Sequence, residues 1–121
     1  MLPAPNRLRQ RADFTSAVRG PRSTRAGSRL LVVHATTADA RAGCPPRVGF
    51  VVSGAVGGAV VRNRTKRRLR ALVAARLHRL PLGADVVVRA NPPAGAASSR
   101  ELEATLDPLW DKVIGRLGGA S

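Results

Sequence analysis

The strongest constraint on this chain is a run of nine residues, Arg62-Asn63-Arg64-Thr65-Lys66-Arg67-Arg68-Leu69-Arg70, in which six are cationic and none is acidic. No Asp or Glu occurs anywhere between Asp39 and Asp85. A solvated helix face ordinarily mixes both signs, because oppositely charged neighbours one turn apart stabilise each other and like charges repel. A block of one sign is tolerated where a polyanion or solvent neutralises it. The fold must therefore present this stretch to the outside and anchor whatever follows it.

The flanking sequence supplies that anchor. Leu69, Leu72, Val73, Leu77 and Leu80 recur at helical spacing, and Pro81 and Gly83 stop the pattern. One helix is predicted from Gly58 or Ala59 to about Leu80. Its first two turns carry the cations as two i, i+4 ladders, Arg62/Lys66/Arg70 and Arg64/Arg68.

Strands are predicted at Arg29–Thr36, Arg47–Ser53 and Ala84–Ala90, each a short apolar, β-branched run. Residues 23–28 suit a short edge strand. A helix at Asp13–Val18 puts Phe14, Ala17 and Val18 on one face. Ser98 and Glu101 form a capping box for a last helix whose apolar stripe runs from Leu102 to Leu117. Pro108 lies inside that stripe and predicts a kink or a broken turn. The tail, residues 118–121, is expected to fray. The predicted order is α-β-β-(β)-α-β-α, a single-domain α/β (α+β) two-layer sandwich over residues 1–121. The strand–helix–strand unit around the basic block implies a parallel pair.

The formal net charge is +14, from 21 Lys plus Arg against seven acids. An excess of that size points to nucleic acid. With 44% hydrophobic residues the chain has enough apolar material for a core. A single cysteine, Cys44, forms no internal disulfide or cysteine metal cluster. There is no signal peptide and no run of the roughly 18 apolar residues that span a membrane. A cytoplasmic protein with no membrane or protein partner is the expectation.

Catalytic residues are not nominated. The acids lack paired metal-binding spacing, and His34 and His78 are far apart with no second group for acid–base work. Residues 54–58 are glycine-rich but lack the Gly-Lys-Ser/Thr ending of a phosphate loop. Taken alone, the chain reads as a nucleic-acid binder rather than a self-sufficient enzyme. Asn63, between two arginines, can donate and accept hydrogen bonds to 2′-hydroxyls or base edges.

Arg47-Val48-Gly49-Phe50-Val51-Val52-Ser53, followed by Gly57-Gly58-Ala59-Val60-Val61 and the basic block, closely resembles the signature of the bacterial ribonuclease P protein subunit. Asn6-Arg7-Leu8 with Asp13-Phe14 resembles that family's N-terminal motif, so the likeness covers nearly the whole chain. The resemblance implies a protein that binds a catalytic RNA and the 5′ leader of precursor tRNA. It assists endonucleolytic removal of the leader, with Mg²⁺ held by the RNA and substrate. Arg62, Asn63, Arg64, Lys66, Arg67 and Arg70 match the motif that contacts the catalytic RNA, and Arg68 joins them through the charge block. Phe14 matches an aromatic of the leader cleft, between the first helix and one sheet face, with Val18, His34 and Ser53 beside it.

The sequence departs from the family at three places. Val18 stands where a second aromatic is frequent. Gly54-Ala55 follows Ser53 where two cations are frequent. Val32, Val33 or His34 takes the place of a strand aromatic. The other readings are a ribosome-associated or similar structured-RNA-binding protein without a cleavage role, and a protein-only nuclease using His34.

Overall fold

The computed structural model describes residues 2–118. The elements are α1 (Arg11–Arg19), β1 (Thr24–Gly27), β2 (Leu31–Thr37), β3 (Arg47–Val51), α2 (Ala59–Ala74), β4 (Ala84–Ala90) and α3 (Ser99–Gly118). The expected tail beyond residue 118 lies outside the described residues.

The strands form one sheet in the order β1-β2-β4-β3. β2 pairs antiparallel with β1 and β4, and β3 pairs parallel with β4 through the α2 crossover. Side chains alternate across the sheet. Leu31, Val33 and Ala35 of β2 and Val86, Val88 and Ala90 of β4 face α2 and α3. That layer holds the main core, which Leu69 and Val73 of α2 and Leu102, Leu106, Trp110 and Val113 of α3 complete. On the other face Leu8, Ala17 and Val87 form a small second cluster under α1. The main sandwich is thus sheet against α2 and α3, and nine-residue α1 covers part of the opposite face.

The capping box forms: the Glu101 N–H donates to Ser98 Oγ at 3.1 Å, and the Ser98 N–H donates to Glu101 Oε1 at 3.0 Å. The hydrogen bonds to Ser98 hold the Glu101 carboxyl below its ordinary pKa.

Two expectations need correction. α2 ends at Ala74, not near Leu80, and Leu77–Arg79 form a separate 3-10 turn. At the break, Arg76 turns towards α3. It donates to Asp107 at 2.6 Å, to Glu103 at 2.7 Å and to the Leu72 carbonyl at 2.8 Å. Its own carbonyl accepts from Trp110 Nε1 at 3.3 Å. Leu77 and Leu80 still pack on the core, so the apolar spacing survives while the helix does not. Second, α3 runs through Pro108 without a break. The carbonyl that loses its donor is that of exposed Ala104, where water can replace the missing N–H.

Candidate nucleic-acid interface

Gly57 admits the chain to α2 with φ +156°, and a Cβ there would lie 2.8 Å from Val61. Gly58 is the N-cap, and no acid occupies the first turn. Cations near a helix N-terminus oppose its dipole. The block therefore does not stabilise α2; the buried Thr65, Leu69 and Val73 hold the helix down.

The block divides by direction. Half-buried Arg64 and Arg68 lie on the core-proximal side. Arg64 Nη2 donates to the Gly95 carbonyl at 3.1 Å, and Arg68 Nη1 donates to the Ala97 carbonyl at 2.8 Å. Asn63, Arg67 and Arg70 are exposed, and Val60 beside them is 79% exposed. Lys66 and Arg70 line a groove that also contains Phe14. Arg62 is half-buried, and its Nε finds no hydrogen-bond partner among the described residues.

The second sheet face carries the other predicted set. The Phe14 ring lies on the backbone of Gly49, where a Cβ would sit 2.3 Å from the ring. Val18 packs with Phe14 on the Leu8, Ala17 and Val87 cluster. His34 lies opposite Val87 on β4 and Arg25 on β1. It is 5% exposed, and its Nδ1 has no partner among the described residues. Burial first, then the charges of Arg25 and Arg89, push its pKa below the ordinary 6.5, so the ring is neutral at pH 7. The next row along the strands on that face, Val51, Arg89 and Val32, is partly or fully exposed. Ser53 is exposed just beyond it.

This surface joins Phe14, Val18 and His34 on one face, while the Arg62–Arg70 block lies on α2 across the β3 edge. Arg25 and Arg89 add cations that sequence reading did not select. Arg89 is the one charge within Val86-Val87-Val88-Arg89, a signal of an outward position. Its partner strand, and so its place beside His34, depended on the sheet order.

All seven acids are engaged. Asp85 takes a bidentate pair from Arg47 at 2.8 and 2.7 Å, and Arg47 also reaches Asp13 at 3.3 Å. Arg76 holds Glu103 and Asp107, Arg79 holds Asp111, Arg22 meets Asp39 at 3.3 Å, and Glu101 caps Ser98. None of these pairs involves α2's basic block, so its positive field is uncancelled. Among the described residues no group of three or more His, Cys, Asp or Glu is arranged to hold a metal ion, and no helix is long and apolar enough to cross a membrane.

A family model described as Ribonuclease P matches residues 2–114. The Ribonuclease P protein component of Streptomyces griseus is 53% identical over 126 residues, covering 99% of each chain. That of Beutenbergia cavernae is 60% identical over 107 residues, 88% of this chain and 87% of its own. The solved RNase P protein of Staphylococcus aureus matches with a TM-score of 0.76 at 25% identity, covering 90% of this chain and 97% of that one. The Thermotoga maritima RNase P protein shares the fold, with a TM-score of 0.72 at 24% identity over 88% and 96%.

Proposed function

The chain belongs to the ribonuclease P protein family, and from that premise we propose that it binds the enzyme's catalytic RNA through α2 and the 5′ leader of precursor tRNA through the α1 cleft. The observation that carries this reading is the separation of charge. Every carboxylate is tied to a cation or a cap, while Asn63, Lys66, Arg67 and Arg70 are left facing outward or into a groove and half-buried Arg62 has no acidic partner among the described residues. Fixed cations on phosphate replace counterions that the RNA would otherwise recruit. The complex then assembles and holds its substrate at lower Mg²⁺.

The chemistry, hydrolysis of one phosphodiester bond, belongs to the RNA in this reading. Mg²⁺ needs several oxygen ligands, including free carboxylates where a protein supplies them. With the carboxylates of this chain already paired, the residues present do not fit a catalytic Mg²⁺ site. The RNA and substrate phosphates are assigned the metal. Buried, neutral His34 among arginines does not suit a general base that must reach a substrate.

Reconstitution tests the proposal. Purified protein added to the RNA subunit should restore precursor-tRNA cleavage at Mg²⁺ concentrations where the RNA alone is slow. Protein alone should leave the precursor intact. Cleavage without RNA, or no stimulation with it, would overturn the assignment.

A further inference from the structure

α1 has nine residues, fewer than the roughly 12–15 that an isolated helix needs to persist in water. Its N-cap, Gln10, makes no side-chain capping bond. Where α1 lies is therefore set by what the sheet offers it. The apolar share is small, since Ala17 is the one buried residue of α1 and packs in a cluster with Leu8 and Val87.

The polar share is a chain of three residues. Asp85 on β4 is only 5% exposed, and a buried carboxylate needs a charged, hydrogen-bonded partner. Arg47, opposite it on β3, supplies Nε at 2.8 Å and Nη2 at 2.7 Å. Arg41 comes only to 3.8 Å and gives its Nη2 to the Pro45 carbonyl. The two bonds to Asp85 fix the direction of the planar Arg47 fork. Its remaining nitrogen, Nη1, lies 3.3 Å from Asp13 Oδ2 in the first turn of α1. Among the described residues this is the one salt bridge between α1 and the sheet.

Asp13 adjoins Phe14 in the chain. Arg47 and Gly49, which receives the Phe14 ring, are two residues apart on β3 and so share one sheet face, about 6.6 Å from each other. The ion pair and the ring contact hold the start of α1 at two neighbouring points of the same strand.

We propose that Asp13 is a positioning residue for the precursor's leader: tied through Arg47 to buried Asp85, it sets α1 in register with β3 and keeps Phe14 over Gly49. The proposal rests on the leader-binding reading above and adds to it a residue that itself touches no RNA.

Asp13→Asn separates this role from plain electrostatics, because the two act with opposite sign. Removing a negative charge alone strengthens binding of every RNA. Releasing α1 weakens binding of the leader and of nothing else. The test uses complexes reconstituted from the RNA subunit and either protein, with affinities for precursor and leaderless tRNA measured at one salt concentration. The preference for precursor should fall roughly five- to tenfold, the low end of what one stacked base contributes. Affinity for the RNA subunit, which reports an intact α2 and an intact fold, should not fall. Asp13→Glu, which keeps the charge, should recover part of the preference. In a Phe14→Leu background Asp13→Asn should lower it no further, since both changes act through the same ring. An undiminished preference in Asp13→Asn, a full additional loss in the Phe14→Leu background, or a matching loss of RNA-subunit affinity would overturn the positioning role and leave the leader reading in place. A wild-type complex without any preference for precursor would remove that reading itself.

Discussion

Arg68 donates to the carbonyl of Ala97 at 2.8 Å, one turn beyond Arg64, which donates to Gly95 at 3.1 Å. These two arginines tie α2 to the turn that leads into α3. The Arg64/Arg68 ladder thus has partners within the fold, whereas Arg67 on the next face has none among the described residues.

Arg68→Ala should therefore act on stability. Loss of a hydrogen bond from a charged donor costs about 1.5–3 kcal/mol, and partial exposure places Arg68 at the low end. Arg67→Ala should leave stability within about 0.5 kcal/mol. It should instead reduce the slope of log affinity against log salt by roughly 0.7–0.9, the share of one phosphate. Urea denaturation and salt-dependent RNA binding separate the two effects. The reverse pattern would make Arg68 the phosphate contact.

The seating of Phe14 on Gly49 predicts a coupled pair. Gly49→Ala places a methyl 2.3 Å from the ring, and overpacking of this kind costs about 1–3 kcal/mol. The displaced ring should also weaken binding of precursor tRNA while leaving leaderless tRNA unaffected. Adding Phe14→Leu should recover part of the lost stability, because the second change removes the atoms the first collides with. Strictly additive losses would show that the two residues do not touch.

His34 makes stability depend on mild acid. Its pKa is lowered in the folded protein by burial and by Arg25 and Arg89. The unfolded chain binds the proton more readily, so the contribution is complete above the ordinary value of 6.5 and declines as pH falls from there towards the folded pKa. His34→Gln should flatten this part of the curve. Urea midpoints measured between pH 7.5 and pH 5 (a window of about one to two units around the ordinary value) test it; parallel curves for the two proteins would exclude His34 as the source.

The sequence made the fold class legible because its signals were local. Short apolar, β-branched runs placed β2, β3 and β4, a small-residue stretch suggested β1, period-3.6 apolar spacing placed the three helices, and the Ser98–Glu101 box marked the start of α3. The Arg62–Arg70 block was visible as charge. Its division was not, since Gly95 and Ala97 lie some thirty residues away in the chain and no local pattern shows which ladder turns inward. Arg25 and Arg89 were missed for the same reason. They meet at His34 only through the β1-β2-β4 order. The Asp13–Arg47–Asp85 chain joins α1, β3 and β4, a conjunction that exists only after folding.

The end of α2 shows how a tertiary contact overrides local spacing, and it carries the last prediction. Apolar spacing alone extends the helix to Leu80, yet the chain leaves helical geometry at Arg76, with φ −115° and ψ 1°. Arg76 there binds Asp107, Glu103 and the Leu72 carbonyl, and its own carbonyl receives Trp110. The Arg76 hydrogen bond is the main cause of the lowered Asp107 pKa. The Asp107 contribution is therefore present above the ordinary value of 3.8 and is lost as pH falls through the lower folded value. Arg76→Ala should destabilise the protein by about 1–3 kcal/mol near neutrality, and progressively less as pH falls from 3.8 towards the lower folded value, as the wild type loses the same interaction. Arg76→Lys should restore only a fraction, because an ammonium group cannot reproduce the forked, multi-carboxylate geometry of guanidinium. Urea denaturation of the three proteins at pH 7 and pH 3 supplies the comparison. Full rescue by Lys would reduce the cluster to simple charge attraction and leave the early end of α2 without this cause.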